Sequence, residues 1–456
     1  MWRDHAAQCL PRSGRCDREG GCAPADGVDR ARLATVTTTG CAGGACSLLA
    51  GASRYAGPSG NAPRRPNEAD RRQRDDKIRH RSIGGGEMTL KFAATGLSHG
   101  HRALAEHAEK AVKRALAKAG LERANAVLLF LTPEYAANTE PALRAAARAG
   151  GCLQVVGCTG AGILTEEEWV LDSPGAAAMV FGGNMHLKIS PRGKLSDDDI
   201  VLSLCTPAGL MADWLDVPTR RIGAVSGDLF GHGPFKVWSG ARVADSEQVD
   251  AIMSGMDGAI NASQGVRALT SPIEVAEVQD YDIKRLGNYP ALSVLVQSLP
   301  PSVREMERVP LHLIMGGVTF GDPDTAIREG RYRLNHIVAA NLRDQSITLS
   351  QRPSRGERLF WAMRDTLAAE RDMRNCISRT AQALGGQPDL ALLFPCMGRG
   401  PNFFGNRDRD LDALCSGFPR LPIAGMYGNG ELGPLDGLNH LYQYSVVLGL
   451  FKANNA

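Results

Sequence analysis

Ala126-Val127-Leu128-Leu129-Phe130-Leu131, the segment Glu140-Pro141 through Gly150-Gly151, and Leu153-Gln154-Val155-Val156-Gly157-Cys158-Thr159-Gly160-Ala161-Gly162 follow one another as strand, helix, strand and glycine-spaced loop. Six apolar residues without polar alternation mark a strand buried on both faces. Proline suits the first turn of a helix, where its missing N–H would find no partner anyway, and the paired glycines stop that helix. A related order returns near the C-terminus. Leu390–Phe394 reads as a buried strand, Arg407–Cys415 as a helix and Pro422–Ala424 as a strand, and Gly425-Met426-Tyr427-Gly428-Asn429-Gly430-Glu431 is the loop that follows. Phe130 to Gly157 spans 27 residues and Phe394 to Gly425 spans 31, a spacing that suggests internal duplication.

Working outward, Lys91–Thr95 reads as a strand. Arg102–Ala119 follows as a helix that gathers Leu104, Ala108, Val112, Ala115, Leu116 and Ala119 on one face and stops at Gly120. Arg358–Leu384 reads as one long helix stopped by Gly385-Gly386. Between the two units lie strand-like segments: Ala177–Phe181, His186–Ile189, Phe235–Val243, Leu311–Phe320 and Tyr332–Leu342. Several alternate apolar with polar residues, as half-buried antiparallel strands do. Runs of strands bracketed by helices predict an α+β fold. The expected form is two pseudo-duplicated halves, with mixed and antiparallel sheets carrying helices on their outer faces; stacked αββα layers are one such arrangement.

Residues 1–87 differ in kind. They hold 14 Arg and one Lys against 10 acidic residues, contain no Phe and show no period. Such a segment buries too little apolar surface to offset chain entropy. The chain has 42 Arg against 10 Lys, as a GC-rich gene would give, and Gly84-Gly85-Gly86-Glu87 before Met88 fits a purine-rich ribosome-binding site. Residues 1–87 are therefore expected to be a disordered tail or an upstream stretch that is not translated. The total charge of +3 includes +5 from this stretch, so the rest is nearly neutral. That balance argues against nucleic acid as a partner. No window has the 18 consecutive apolar residues of a membrane span. The six body cysteines form no C-x-x-C pair and sit in or beside apolar segments, as reduced cytoplasmic thiols do.

Four segments, in order, resemble the signatures of FIST proteins. Val155–Gly162 is similar to the FIST N-terminal motif. Ser263-Gln264-Gly265, Pro272 and Tyr289-Pro290-Ala291-Leu292 resemble the join into the FIST C-terminal domain. Phe394-Pro395-Cys396-Met397-Gly398-Arg399-Gly400 and Gly425–Pro434 resemble that domain's two most distinctive segments. The resemblance implies a FIST N-terminal domain over 88–285 and a FIST C-terminal domain over 286–456. It further implies a bacterial, intracellular sensory module, without enzyme activity, that binds a small metabolite such as an amino acid in a cleft near the domain join. Some family members bind haem, sense nitric oxide and partner a histidine kinase, which is the alternative implication. The join departs from the family pattern, since Asn288-Tyr289 replaces its acidic Asp-Gly.

Candidate binding residues follow from the loops. Arg399 can take a ligand carboxylate while Glu431 pairs with an amino group, which would recognise a zwitterion; pairing of the two with each other or with backbone is the alternative. Gln264 can supply a neutral hydrogen bond at the join or simply close its loop. Gly157, Cys158 and Gly430 line the two glycine loops, where a tight backbone turn is the simplest role. Cys396 is either a packing cysteine or the nucleophile of a thiol enzyme. Arg399 nearby would favour its thiolate and make it the body thiol most prone to alkylation. No metal-ligand set stands out, and haem is the one cofactor the resemblance brings in. Val225-Ser226-Gly227-Asp228 is not a nucleophile elbow, because Gly223 stands three residues before the serine rather than two.

Overall fold

The computed structural model describes residues 92–190, 195–306 and 309–454. The 1–87 extension and the start at Met88 lie outside the described residues. The α+β class holds, and the recurrence read from the sequence is present in three copies. In the first unit Ala93–His99 pairs antiparallel with Gly175–Phe181, which pairs antiparallel with Ala126–Leu131, which lies parallel to Val155–Thr159. The same order and directions recur in His186–Ile189, Gln248–Ser254, Ile200–Cys205 and Arg220–Val225. They recur again in Met256–Ser263, Val446–Ala453, Leu390–Pro395 and Ile423–Tyr427.

Each unit then lends a hairpin to a neighbour. Gly162–Thr165 with Trp169–Val170 extends the third sheet beside Ile423–Tyr427. Glu431–Leu435 with Leu438–Tyr442 extends the second beside Arg220–Val225. Val237–Ser239 with Arg242–Val243 extends the first beside Val155–Thr159. The exchange closes a ring of three six-stranded sheets. Gly157, Gly223 and Gly425 occupy equivalent places in it. At each, a Cβ would overlap the facing carbonyl, that of Leu129, Ser203 or Leu393 respectively. Only glycine lets the parallel strands approach this closely.

The inner faces of all three sheets meet in one buried cluster that includes Phe130, Leu204, Ile222, Phe394 and Phe451. Phe130 and Phe394 meet edge to face, with ring centroids 5.8 Å apart. Such a pair contributes about 0.5–1.5 kcal/mol beyond its area. Helices α1 (Ala105–Ala119) and α2 (Glu140–Gly150) cover the outer face of the first sheet. Helices α3 (Thr366–Leu384) and α4 (Arg409–Gly417) cover the third. Among the described residues the second sheet has only the four-residue turn Ala212–Leu215 over its outer side.

Between Met256–Ser263 and α3 the chain builds a separate barrel. Ile273–Gln279, Asp282–Leu286, Ser346–Leu349, Tyr332–Asn341, Ile314–Thr319 and Arg358–Arg364 pair antiparallel in that order and close on themselves. Val275, Ile283, Leu349, Leu359 and Trp361 form its core with the helix Ala291–Ser298. Residues 285 and 286 both lie within one barrel strand, so the chain has no structural break there. The long helix expected over 358–384 is corrected. Its first part, Arg358–Arg364, is a barrel strand, and α3 begins after Asp365, whose side chain caps Ala368 N–H. In that strand Leu359 and Trp361 face the barrel core, and Phe360 and Ala362 face a second apolar cluster. Two-sided burial erased the alternation that would have marked a strand. Among the described residues no helix is long and apolar enough to cross a membrane.

Candidate functional site at the barrel join

Arg399 follows the buried strand Leu390–Pro395 and is itself buried. Its guanidinium meets Asp410 at the start of α4 through two 3.0 Å bonds, from Nε to Oδ2 and from Nη2 to Oδ1. Nη1 donates to Ser263 O at 2.7 Å, and Nη2 also reaches Ser263 Oγ at 2.8 Å and Ala369 O at 3.1 Å. Ser263 Oγ and Gly265 N–H both donate to Asp372 of α3. Gly265 has φ +60°, and a Cβ there would stand 2.6 Å from Arg399 Nη1. Gln264, between them, donates from Nε2 to Tyr332 O at 2.7 Å in the barrel. The Ser263-Gln264-Gly265 crossing is thus pinned to α3 and α4 through the Arg399 guanidinium and to the barrel through Gln264. Arg399 holds the join together, and the role of ligand clamp expected for it is corrected: protein acceptors already take its donors. Burial pushes Asp410 up to about 6, and Asp408 and Asp372 add to that while Arg399 pulls the other way.

Cys396, Gly430 and Glu431 are brought together on the other side of the same loop. Cys396 forms an isolated parallel bridge with Gly428, and its N–H donates to Ser445 O at 2.8 Å. Glu431 is fully buried and accepts from Ser445 Oγ at 2.6 Å through Oε2, while Oε1 has no partner. Burial pushes this carboxyl well above the usual range; Ser445 and the adjoining Cys396 thiol only moderate the effect. The Cys396 thiol is itself pushed far up, by burial and then by Glu431. Its expected activation by Arg399 is therefore corrected: Asp410 absorbs that charge. Gly430 accepts from Val225 N–H at 2.8 Å and fixes the third unit's hairpin to the second sheet. Gly157 and Cys158 lie apart from this group, in the first unit's inner strand. Cys158 is completely buried beside Cys205, and burial pushes its thiol well up.

Residues that the sequence did not single out complete the join. Arg364, the last residue of a barrel strand, lies 4.0 Å over the Tyr444 ring and 4.8 Å over that of Phe403, and donates to Gly398 O. His336 of the barrel meets Tyr444 edge-on at 5.1 Å. Phe320 of the barrel meets His440 of the exchanged hairpin at 6.4 Å. No local signal marks Arg364, since its partners lie 34 to 80 residues away in sequence. Chemically, the join offers a buried carboxyl and a buried thiol, both pushed upward by burial, and a guanidinium stacked on two aromatic rings.

Residues 291–434 match the family model described as the FIST C domain. That span, just under a third of the chain, is similar to the FIST C domain. Cys396, Arg399, Gly430 and Glu431 lie inside the matched span, and Gln264 and Arg364 flank or fall within the barrel that opens it. The chain is also similar to uncharacterised mycobacterial proteins. One from Mycobacterium bovis is 29% identical over 240 residues, which is 52% of this chain and 61% of the relative. One from Mycobacterium tuberculosis gives the same figures, and a second from that species is 27% identical over 251 residues, 54% of this chain and 65% of the relative. The chain thus matches about three-fifths of the length of these curated relatives.

Proposed function

We propose that the protein is a bacterial cytoplasmic sensory module, not an enzyme, that binds a small metabolite such as an amino acid at the join between the barrel and the three-sheet ring. The observation that carries this reading is Glu431, a fully buried carboxyl with one oxygen left without a partner inside the FIST C domain. Oε2 accepts from Ser445, so the proton of the neutral acid sits on Oε1 and seeks an acceptor. A buried donor without a partner is unfavourable by about 1–3 kcal/mol, which a ligand carbonyl or carboxylate recovers. Arg364 replaces Arg399 as the guanidinium nearest to that role. Because Glu431 is covered, binding loosens the contacts of Tyr444 with His336 and Arg364, and the barrel carries the change to a signalling partner such as a histidine kinase. A thiol enzyme using Cys396 finds no support in a buried cysteine whose thiolate is strongly disfavoured.

The test is a thermal-shift and native mass-spectrometry screen of the purified chain against the common amino acids, with Glu431→Leu as control and an absorbance spectrum recorded alongside. Stoichiometric binding without turnover, weakened about tenfold or more by Glu431→Leu, is expected from the loss of one buried hydrogen bond to a charged group, since leucine keeps the bulk but has no donor. Binding unchanged in that variant would overturn the assignment of the site. A Soret band at one haem per chain would replace the metabolite reading with a haem sensor.

A further inference from the structure

The three units serve as internal controls for one another. In the first, the outer face of the central strands carries Leu129, Val155 and Ala178, and α1 and α2 cover it. In the third, the equivalent places hold Leu393, Ile423 and Leu448 under α3 and α4. In the second they hold Ser203, Arg221 and Asp250. Three apolar positions have become a polar triad in the one unit that lacks long covering helices.

That triad is organised. Arg221 is fully buried, and its Nη1 reaches Asp250 Oδ1 and Ser203 Oγ, each at 2.6 Å. Nη2 donates to Trp214 O at 2.8 Å, the guanidinium lies 4.8 Å over the Trp214 ring, and Nε has no partner. Trp214 Nε1 donates to Asp250 Oδ2 at 2.8 Å. Above the triad lies a cleft of about 530 Å³. Leu195, Met211, Val217 and Val249 give it apolar walls, Arg221 and Asp250 lie at its floor, and Asp213 lines it as well. Burying an ion pair where the other two copies keep apolar residues costs desolvation that packing alone does not require. A volume of this size suits a small molecule.

We propose that this cleft is a second binding site, for a small primary amine with an apolar or aromatic body. The charge balance sets the sign: the cleft is lined by two carboxylates, Asp250 and the exposed Asp213, against one guanidinium that is already bound to Asp250. The ammonium sits at Asp250, whose side chain keeps 15% exposure, and the body lies along the apolar walls. The site is separate from the barrel join and stands whether or not that reading holds.

Benzylamine is the probe and benzoate the charge control, each titrated into the full chain by calorimetry. Benzylamine should bind at least about tenfold better than benzoate, since the sign of the lining charge decides between them. Asp250→Asn should weaken benzylamine about tenfold or more, and Ser246→Trp, which fills the mouth from an exposed position, should abolish binding without lowering the melting temperature. If Asp250→Asn fails to fold, Ser246→Trp decides. Equal binding of the two probes, or benzylamine binding indifferent to Ser246→Trp, overturns the proposal. So does a dimer of the full chain that Ser246→Trp splits into monomers, because the occupant of the cleft is then a second copy.

Discussion

Arg399 and Arg221 are both withdrawn from solvent, and both meet an aspartate, yet their surroundings differ in two respects. Arg399 spreads its donors over Asp410, two atoms of Ser263 and the Ala369 carbonyl, and its aspartate is as deeply buried as itself. Arg221 leaves Nε without a partner, and its aspartate reaches the floor of a cleft. A buried ion whose hydrogen bonds are complete is a joint, since nothing remains for a ligand to supply. One whose aspartate still opens onto a cavity has room for a ligand. Glu431 extends the comparison: it has no ion-pair partner, and burial pushes its carboxyl well above the usual range, which favours the neutral acid.

The largest expected effect is that of Arg399→Met. Removing one partner of a pair this deeply buried should lower stability by about 3–5 kcal/mol at pH 7, read from urea unfolding. The deficit should shrink as pH falls from 7 towards 6 and level off below it, because Asp410 stands at about 6 even with Arg399 pulling it down and rises further without that guanidinium. A pH-independent deficit would mean that lost packing, not the stranded carboxylate, is responsible. Glu431→Gln comes next. Glu431 has a folded-state pKa raised above its unfolded value, so its contribution to stability is complete below about pH 4.3 and is lost as pH rises towards the folded pKa. The loss reaches up to about 1.4 kcal/mol per pH unit. The glutamine variant should therefore gain on the wild type between pH 5 and pH 7, and equal slopes would show that Glu431 is ionised in the folded protein. Arg221→Met should cost less, about 1–3 kcal/mol, because water in the cleft can reach Asp250 when its partner is gone. A loss as large as that at Arg399 would erase the distinction between joint and site.

What was legible in the sequence was whatever obeyed a period. The first and third units announced themselves through apolar strands, amphipathic helices and glycine stops. The second escaped because its strands carry Ser203, Arg221 and Asp250 where the others are apolar, and because a four-residue turn stands where they have a helix. One glycine of the second unit is legible: Gly223, three residues before Ser226 and so outside a nucleophile elbow, matches Gly157 and Gly425 in register. The barrel showed only as scattered strands, since closure depends on pairings such as Ile314–Thr319 with Arg358–Arg364, about 45 residues apart. At the join, Cys396, Gly430 and Glu431 do come together as their loops implied. The partner of Arg399 was eleven residues downstream in Asp408-Arg409-Asp410, read only as a helix start.

The smallest effect tests the same contrast through the cysteines. An Arg399 free to act on Cys396 would make that thiol the quickest of the six body cysteines to alkylate. With Arg399 committed to Asp410, burial and Glu431 govern Cys396 and hold it as a covered, neutral thiol. Cys152 and Cys415 are only half-buried; burial raises both thiols as well, Cys415 to about 11. Access then decides the order. Iodoacetamide at pH 8, read by peptide mass spectrometry, should modify Cys152 and Cys415 first and Cys396 at least about tenfold more slowly. Arg364→Ala, which removes the cation held between Tyr444 and Phe403, should narrow that gap by loosening the join while leaving Cys158 and Cys376 in the core protected. If Cys396 reacts as fast as Cys152 in the unmodified chain, the join opens readily in solution, and Glu431 is then reachable by a ligand without any prior displacement of the barrel.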